Sequence, residues 1–172
     1  LLPLFRRMES WLGPDDAGYR GTSGPLRITP SPWTHPLCDA FLAGAETLGI
    51  PRNPDYNGAR QFGAAYSQRT IVGGRRQSAA QAFLRPALKR RNLSLITRAH
   101  VSEILFDGRD AVGLRYRRGG QFHDIRARRE VILSGGVINS AQLLQLSGIG
   151  DPAHLAQIGV PLRHAAPGVG AN

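Results

Sequence analysis

The sequence predicts a mixed α/β (α+β) fold, and three stretches carry that expectation. Residues 129 to 150 run from a solid apolar triplet, Val131-Ile132-Leu133, through Ser134-Gly135-Gly136 into an amphipathic segment, which reads as strand, tight turn and helix. The triplet lacks the alternation of a half-exposed strand and suits one covered on both faces. From residue 92 to 126 the pattern is β-rich, with runs joined by Asp-Gly-Arg-Asp and Gly-Gly turns that predict a meander. Residues 36 to 48 open on Pro36, place Leu37, Phe41, Leu42, Ala45 and Leu48 at helical spacing, and end at Gly49.

The elements follow in chain order. Residues 1 to 35 hold five Pro, several Gly and two Trp, so a short helix is expected over residues 4 to 12, then an extended, turn-rich stretch broken by a strand in the segment TSGPLRITP. The helix from Pro36 comes next, and residues 50 to 63, with two Pro, two Asn and two Gly, form an ordered loop. After Gly73-Gly74, Ser78 caps a helix that Pro86 interrupts or kinks. LSLIT, HVSEILF, AVGLRYR and FHDIRA supply strands, and REVIL is the buried strand before the glycine turn. Asn139 or Ser140 can cap the following helix, whose Leu143, Leu144 and Leu146 lie mainly on one side, with Gly148 as a left-handed C-cap. Asp151 and Pro152 begin a last short helix.

Composition narrows the class. A chain of 172 residues with 41% hydrophobic residues can bury a core and is not a disordered tail. No apolar run reaches membrane-spanning length, and the start LLPLFRRMES lacks a charged leader, so neither a span nor a signal peptide is expected. Cys38 is the only cysteine, which excludes an internal disulfide and a thiolate cluster; its apolar surroundings suit a buried, inert thiol and a reducing, cytoplasmic setting. The net charge of +10 is carried almost wholly by Arg and is concentrated after residue 60. These arginines fall at strand ends and turns rather than along one helix face, so a solvated surface is expected and nucleic acid is not; a stand-alone Arg-rich module binding RNA or another anion is the alternative. No His pair has zinc-ligand spacing, the carboxylates are scattered, and Ser134 and Ser140 lie outside any Gly-x-Ser-x-Gly elbow, so neither a metal site nor a hydrolase nucleophile is assigned.

On geometry alone the junction at Ser134 reads as a plain corner, because most strand-glycine-helix junctions merely turn the chain. The string GVINSAQLLQLSGIG, residues 136 to 150, resembles the second signature of the glucose-methanol-choline (GMC) family of FAD-dependent oxidoreductases. Gly136, Ser140, Leu143, Leu144, Ser147, Gly148, Ile149 and Gly150 match its pattern; Val137 stands where a smaller residue is usual and Ala141 where Pro is usual. LPLFRRMES, SGPLRIT, GGRRQSAAQAFLRP, NLSLITRAHVSEILF, AVGLRY and PGVGAN resemble further family blocks in the expected order, so the resemblance spans nearly the whole chain.

The resemblance implies the central fragment of a choline dehydrogenase-like enzyme. Residues 1–91 would belong to the substrate-side domain, and residues 92–172 to a Rossmann-like FAD-binding domain with its meander, buried strand, glycine turn and helix. It implies that Val101 offers its backbone to the adenine edge and that Ser134, Gly135 and Gly136 pack beside the adenosine part of FAD. Read without the family, Val101 is an ordinary strand residue. The intact enzyme would oxidise a small alcohol by hydride transfer to FAD, with the Gly-rich fingerprint and the catalytic histidine in N- and C-terminal parts outside this chain. Accordingly no residue here is assigned as catalytic, the five histidines read as structural or solvent-facing, and the fragment alone is expected to be inactive. A folded fragment that has lost flavin binding is a third reading.

Overall fold

A computed structural model describes residues 1–14 and 18–171, which divide into two compact units, Leu1–Leu95 and Ile96–Asn172. Each holds both helix and strand, in small sheets.

In the first unit, helix α1 (Leu2–Met8) stops four residues before the expected end, and Glu9–Trp11 becomes strand β1, paired in parallel with β2 (Leu26–Ile28). The cause is long-range: Glu9 and Trp11 are drawn onto the buried Arg20, and an extended backbone places both there, which local helix propensity cannot register. Helix α2 (Pro36–Thr47) begins as expected with Pro36 in its first turn, and His35 accepts the Leu37 N–H on Nδ1 at 3.2 Å. Only Leu42 and Ala45 of its apolar stripe are buried; Leu37, Phe41 and Leu48 are exposed. Strands β3 (Ile71–Val72) and β4 (Arg75–Arg76) form a hairpin across Gly73-Gly74. Ser78 then takes the Gln81 N–H, and the helix runs as a π-helical turn over Ala80–Leu84 into α3 (Arg85–Ala87). The widened turn lies immediately before Pro86, which has no N–H to give and whose ring crowds the turn ahead of it.

The second unit is organised by a three-stranded antiparallel meander, β5 (His100–Asp107), β6 (Asp110–Arg118) and β7 (Gln121–Arg126), in that order. Two register shifts, between Val101 and Glu103 and between Leu105 and Phe106, interrupt the pairing of β5 with β6. Of the expected strands, LSLIT at 93–97 is irregular, and the chain enters β5 through Arg98, whose φ of +55° is the left-handed conformation that a side chain disfavours. The expected buried strand at 131–133 is also absent: the segment has no ladder partner among the described residues, and Ile132 is 74% exposed. A covered parallel strand needs neighbours on both edges and layers on both faces, and the described residues supply neither.

Helix α4 (Gly136–Leu146) follows with Gly135 as its N-cap and no side-chain cap. Ser140, considered as a cap, lies one turn inside and reaches back: its Oγ accepts the Gly135 N–H at 3.1 Å. At the other end Gly148 has φ +84°, and a Cβ there would stand 2.5 Å from the Pro161 carbonyl oxygen, so both conformation and space require glycine. Strand β8 (Ile149–Gly150) pairs in parallel with β9 (His164–Ala165), and between them α5 (Pro152–Gln157) is capped by Asp151 Oδ1 on the His154 N–H at 2.8 Å. Leu155 is fully buried and anchors this corner; enclosing a leucine contributes about 1.5–3 kcal/mol.

Candidate functional site

The second unit contains a cleft of about 370 Å³, within the range of roughly 300–1,000 Å³ common for small-molecule sites. Its walls come from two directions. His100, Val101 and Leu114 contribute from the meander and Ala99 from the residue before it, while Ile132, Leu133, Ser134 and Gly135 contribute from the segment leading into α4, and Leu143 and Leu146 from α4 itself. Polar groups on Asn139, Ser140 and Gln142 share the lining. Thus Val101 and the Ser134-Gly135 pair, 33 residues apart in sequence, border one space.

Val101 is half-buried in β5 and stands opposite Tyr116. Strand β5 is an edge of its sheet, so among the described residues one side of its backbone has no ladder partner. On the same sheet Tyr116 stacks on His123 with ring centroids 5.2 Å apart. Gly136 is placed differently from the other three expected site residues: it does not line the cleft, has φ +87°, and a Cβ there would meet nothing within 4 Å. At Gly135 a Cβ would come within 3.2 Å of the Asn139 side chain. The turn therefore presents bare backbone beside the cleft, and Gly135 keeps its N–H on Ser140.

The meander's other face carries charge. Arg115 lies between Asp124 (2.8 Å) and Glu103 (3.1 Å), and the Arg115 guanidinium, outweighing partial desolvation, holds the Asp124 carboxyl below its usual range. Among the described residues no three His, Cys, Asp or Glu side chains are grouped to hold a metal, and no helix is long and apolar enough to cross a membrane. Cys38 is unpaired and half-buried.

The first unit contains an ionic cluster with no counterpart in the sequence reading. The Arg20 side chain, 1% exposed, gives two parallel hydrogen bonds to Glu9 at 2.9 Å, donates to Asp55 and to Gln68 (3.2 Å), and lies over the Trp11 ring at 4.2 Å. Burial pushes the Glu9 carboxyl up, but the Arg20 guanidinium and the Gly21 N–H together bring it below its usual value. No spacing rule links positions 9, 20, 55 and 68, so periodicity could not have found them.

Comparison with known proteins agrees with this architecture. The sequence model of the GMC oxidoreductase family matches residues 1–172. The chain is 44% identical over 172 residues to the oxygen-dependent choline dehydrogenase of Staphylococcus saprophyticus, covering 99% of this chain and 30% of that protein. Among solved structures it resembles pyridoxine 4-oxidase from Mesorbium loti (TM-score 0.87, 32% identity, 96% of this chain and 33% of that one). It also resembles an FAD-dependent oxidoreductase from Chaetomium thermophilum (TM-score 0.88, 26% identity, 97% and 31%). The chain therefore spans about a third of the length of the proteins it matches. With the family model covering every residue and the fold shared with solved oxidoreductases, this chain belongs to the GMC oxidoreductase family.

Proposed function

We propose that this chain is the central part of an FAD-dependent oxidoreductase acting on the CH–OH group of a small alcohol, of the kind represented by the choline of its relatives. The observation that carries the reading is the cleft bordered by Val101, Ser134 and Gly135, in a chain the family model matches throughout. FAD, when bound, would accept the hydride released from the carbinol carbon. The chain's own residues would hold the adenosine end. The backbone of edge-strand Val101 would face the adenine, and its β-branched side chain favours the extended conformation this requires. Ser134 and Gly135 would supply a wall low enough for a nucleotide to lie against, with Gly136 leaving the entry to α4 uncrowded. Because the Gly135 N–H is held by Ser140, this turn is suited to contact the nucleoside rather than to bind pyrophosphate oxygens. Residues 1–91 would serve the substrate side and 92–172 the FAD side, with the remaining parts of the enzyme supplying proton transfer. The proposed location is cytoplasmic, where the single thiol stays reduced.

The test is the visible spectrum of the natural gene product that carries this sequence, purified with and without Gly135→Leu. The expected result is a flavin band with stoichiometric FAD in the unaltered protein and its loss in the variant. Full FAD retention by Gly135→Leu, or no flavin in the unaltered protein, refutes the reading.

A further inference from the structure

Ser147 stands at the C-terminal end of α4 and is buried, with 8% exposure. Its Oγ makes two short bonds, accepting the Ile104 N–H at 2.9 Å and donating to the Leu143 carbonyl at 2.7 Å. Ile104 is itself 5% exposed and lies three residues along β5 from Val101. The bond matters because the ladder of β5 is interrupted: Val101 pairs with Tyr116, but the register shifts between Val101 and Glu103 and again between Leu105 and Phe106, and the strand is an edge. Bulged strands bend, so the pairing at Val101 and the rest of the β5 ladder are separated by a bend that a second attachment on the open edge can hold. The Ser147 hydroxyl does so by attaching the strand to the end of α4, while Ser140 attaches the start of the same helix to Gly135. One helix thus references both walls of the cleft.

We infer that Ser147 is a positioning residue for the adenosine end of the flavin nucleotide, setting the distance between Val101 and the Ser134-Gly135 wall through its bond to Ile104. The inference rests on the FAD reading above. Removing the hydroxyl leaves a buried N–H without an acceptor, and the strand relaxes to recover one. Contacts of adenosine with β5 are then lost, whereas contacts made elsewhere to the flavin half are not.

The test uses the apo form of the natural gene product carrying this sequence, titrated separately with FAD, AMP and FMN. Ser147→Ala is expected to raise Kd for FAD and for AMP by about tenfold, to leave FMN binding unchanged, and to speed amide exchange at Ile104. Ser147→Thr, which keeps the hydroxyl, should restore both nucleotides. If the alanine variant does not fold, Ser147→Cys, a weaker acceptor of similar size, is expected to show the same order. Unchanged FAD and AMP affinity in a variant whose parent binds FAD overturns this inference alone. Equal weakening of AMP and FMN also overturns it, by reducing Ser147 to a general scaffold residue. A parent protein that takes up no FAD overturns the functional reading and this inference with it.

Discussion

Replacing Arg20 by Met should be among the most damaging single changes available in the first unit. Its side chain is 1% exposed and partners two carboxylates that are themselves only 15% and 12% exposed, those of Glu9 and Asp55. Methionine fills a similar volume and can still lie on Trp11, so the cost is almost purely electrostatic. Two anions are left in a poorly hydrated site, and Asp55 Oδ2 already lacks a hydrogen-bond partner among the described residues. Removing one partner of a buried pair costs about 3–5 kcal/mol, far above the roughly 0–1 kcal/mol of a surface pair. With a urea m-value near 2 kcal/mol per M, the midpoint should fall by about 2 M. The assay is urea unfolding read by tryptophan emission. Trp33 lies in the first unit, so the part of the transition lost from the emission of a Trp33→Phe background reports that unit. Arg20→Lys should fall between, because an ammonium restores charge but cannot make the parallel pair of bonds to Glu9. A midpoint for Arg20→Met within about 0.3 M of the parent would refute the claim that this cluster holds the unit together.

The folded-state pKa of Glu9 lies below the usual carboxylate value of 4.5, so its contribution to stability is complete above that value and declines as pH falls through the lower folded-state value. Urea midpoints measured from pH 6 downward should therefore drop below about pH 4.5, and the drop should be shallower in Glu9→Gln; parallel curves would count against the linkage. In the meander, a Cβ at Gly113 would stand 2.2 Å from the Ile125 carbonyl oxygen, which is backbone and cannot swing away. Gly113→Ala should force β7 from β6 and cost more than about 2 kcal/mol, read as faster amide exchange along β7; unchanged exchange would show that the strands yield without unpairing.

What the sequence makes legible here is whatever local chemistry decides. Pro36 with Gly49 brackets α2, Asp151 with Pro152 starts α5, and Gly148 closes α4, because each acts on backbone within a turn of itself. The meander is equally readable, since its turns are built from Gly108, Gly119 and Gly120. Failures occur where the deciding partner is distant. Residues 9 to 11 leave the helix for a buried arginine, and 131–133 lack the neighbours that would make an apolar run a strand. The α2 stripe, of which only Leu42 and Ala45 are buried, belongs with them: Leu37, Phe41 and Leu48 carry the right period, yet period specifies a face and not its cover. The site divides along the same line. The small residues at 134 to 136 advertise a close backbone approach in the sequence itself, whereas Val101 is one strand residue between His100 and Ser102 until the fold brings it and Ser134 to the lining of one cleft. Ser147 shows the limit most clearly. Its place in a family-like string marks it in the sequence, but only its two hydrogen bonds, one along its own helix and one to a strand 43 residues away, say what a hydroxyl does there.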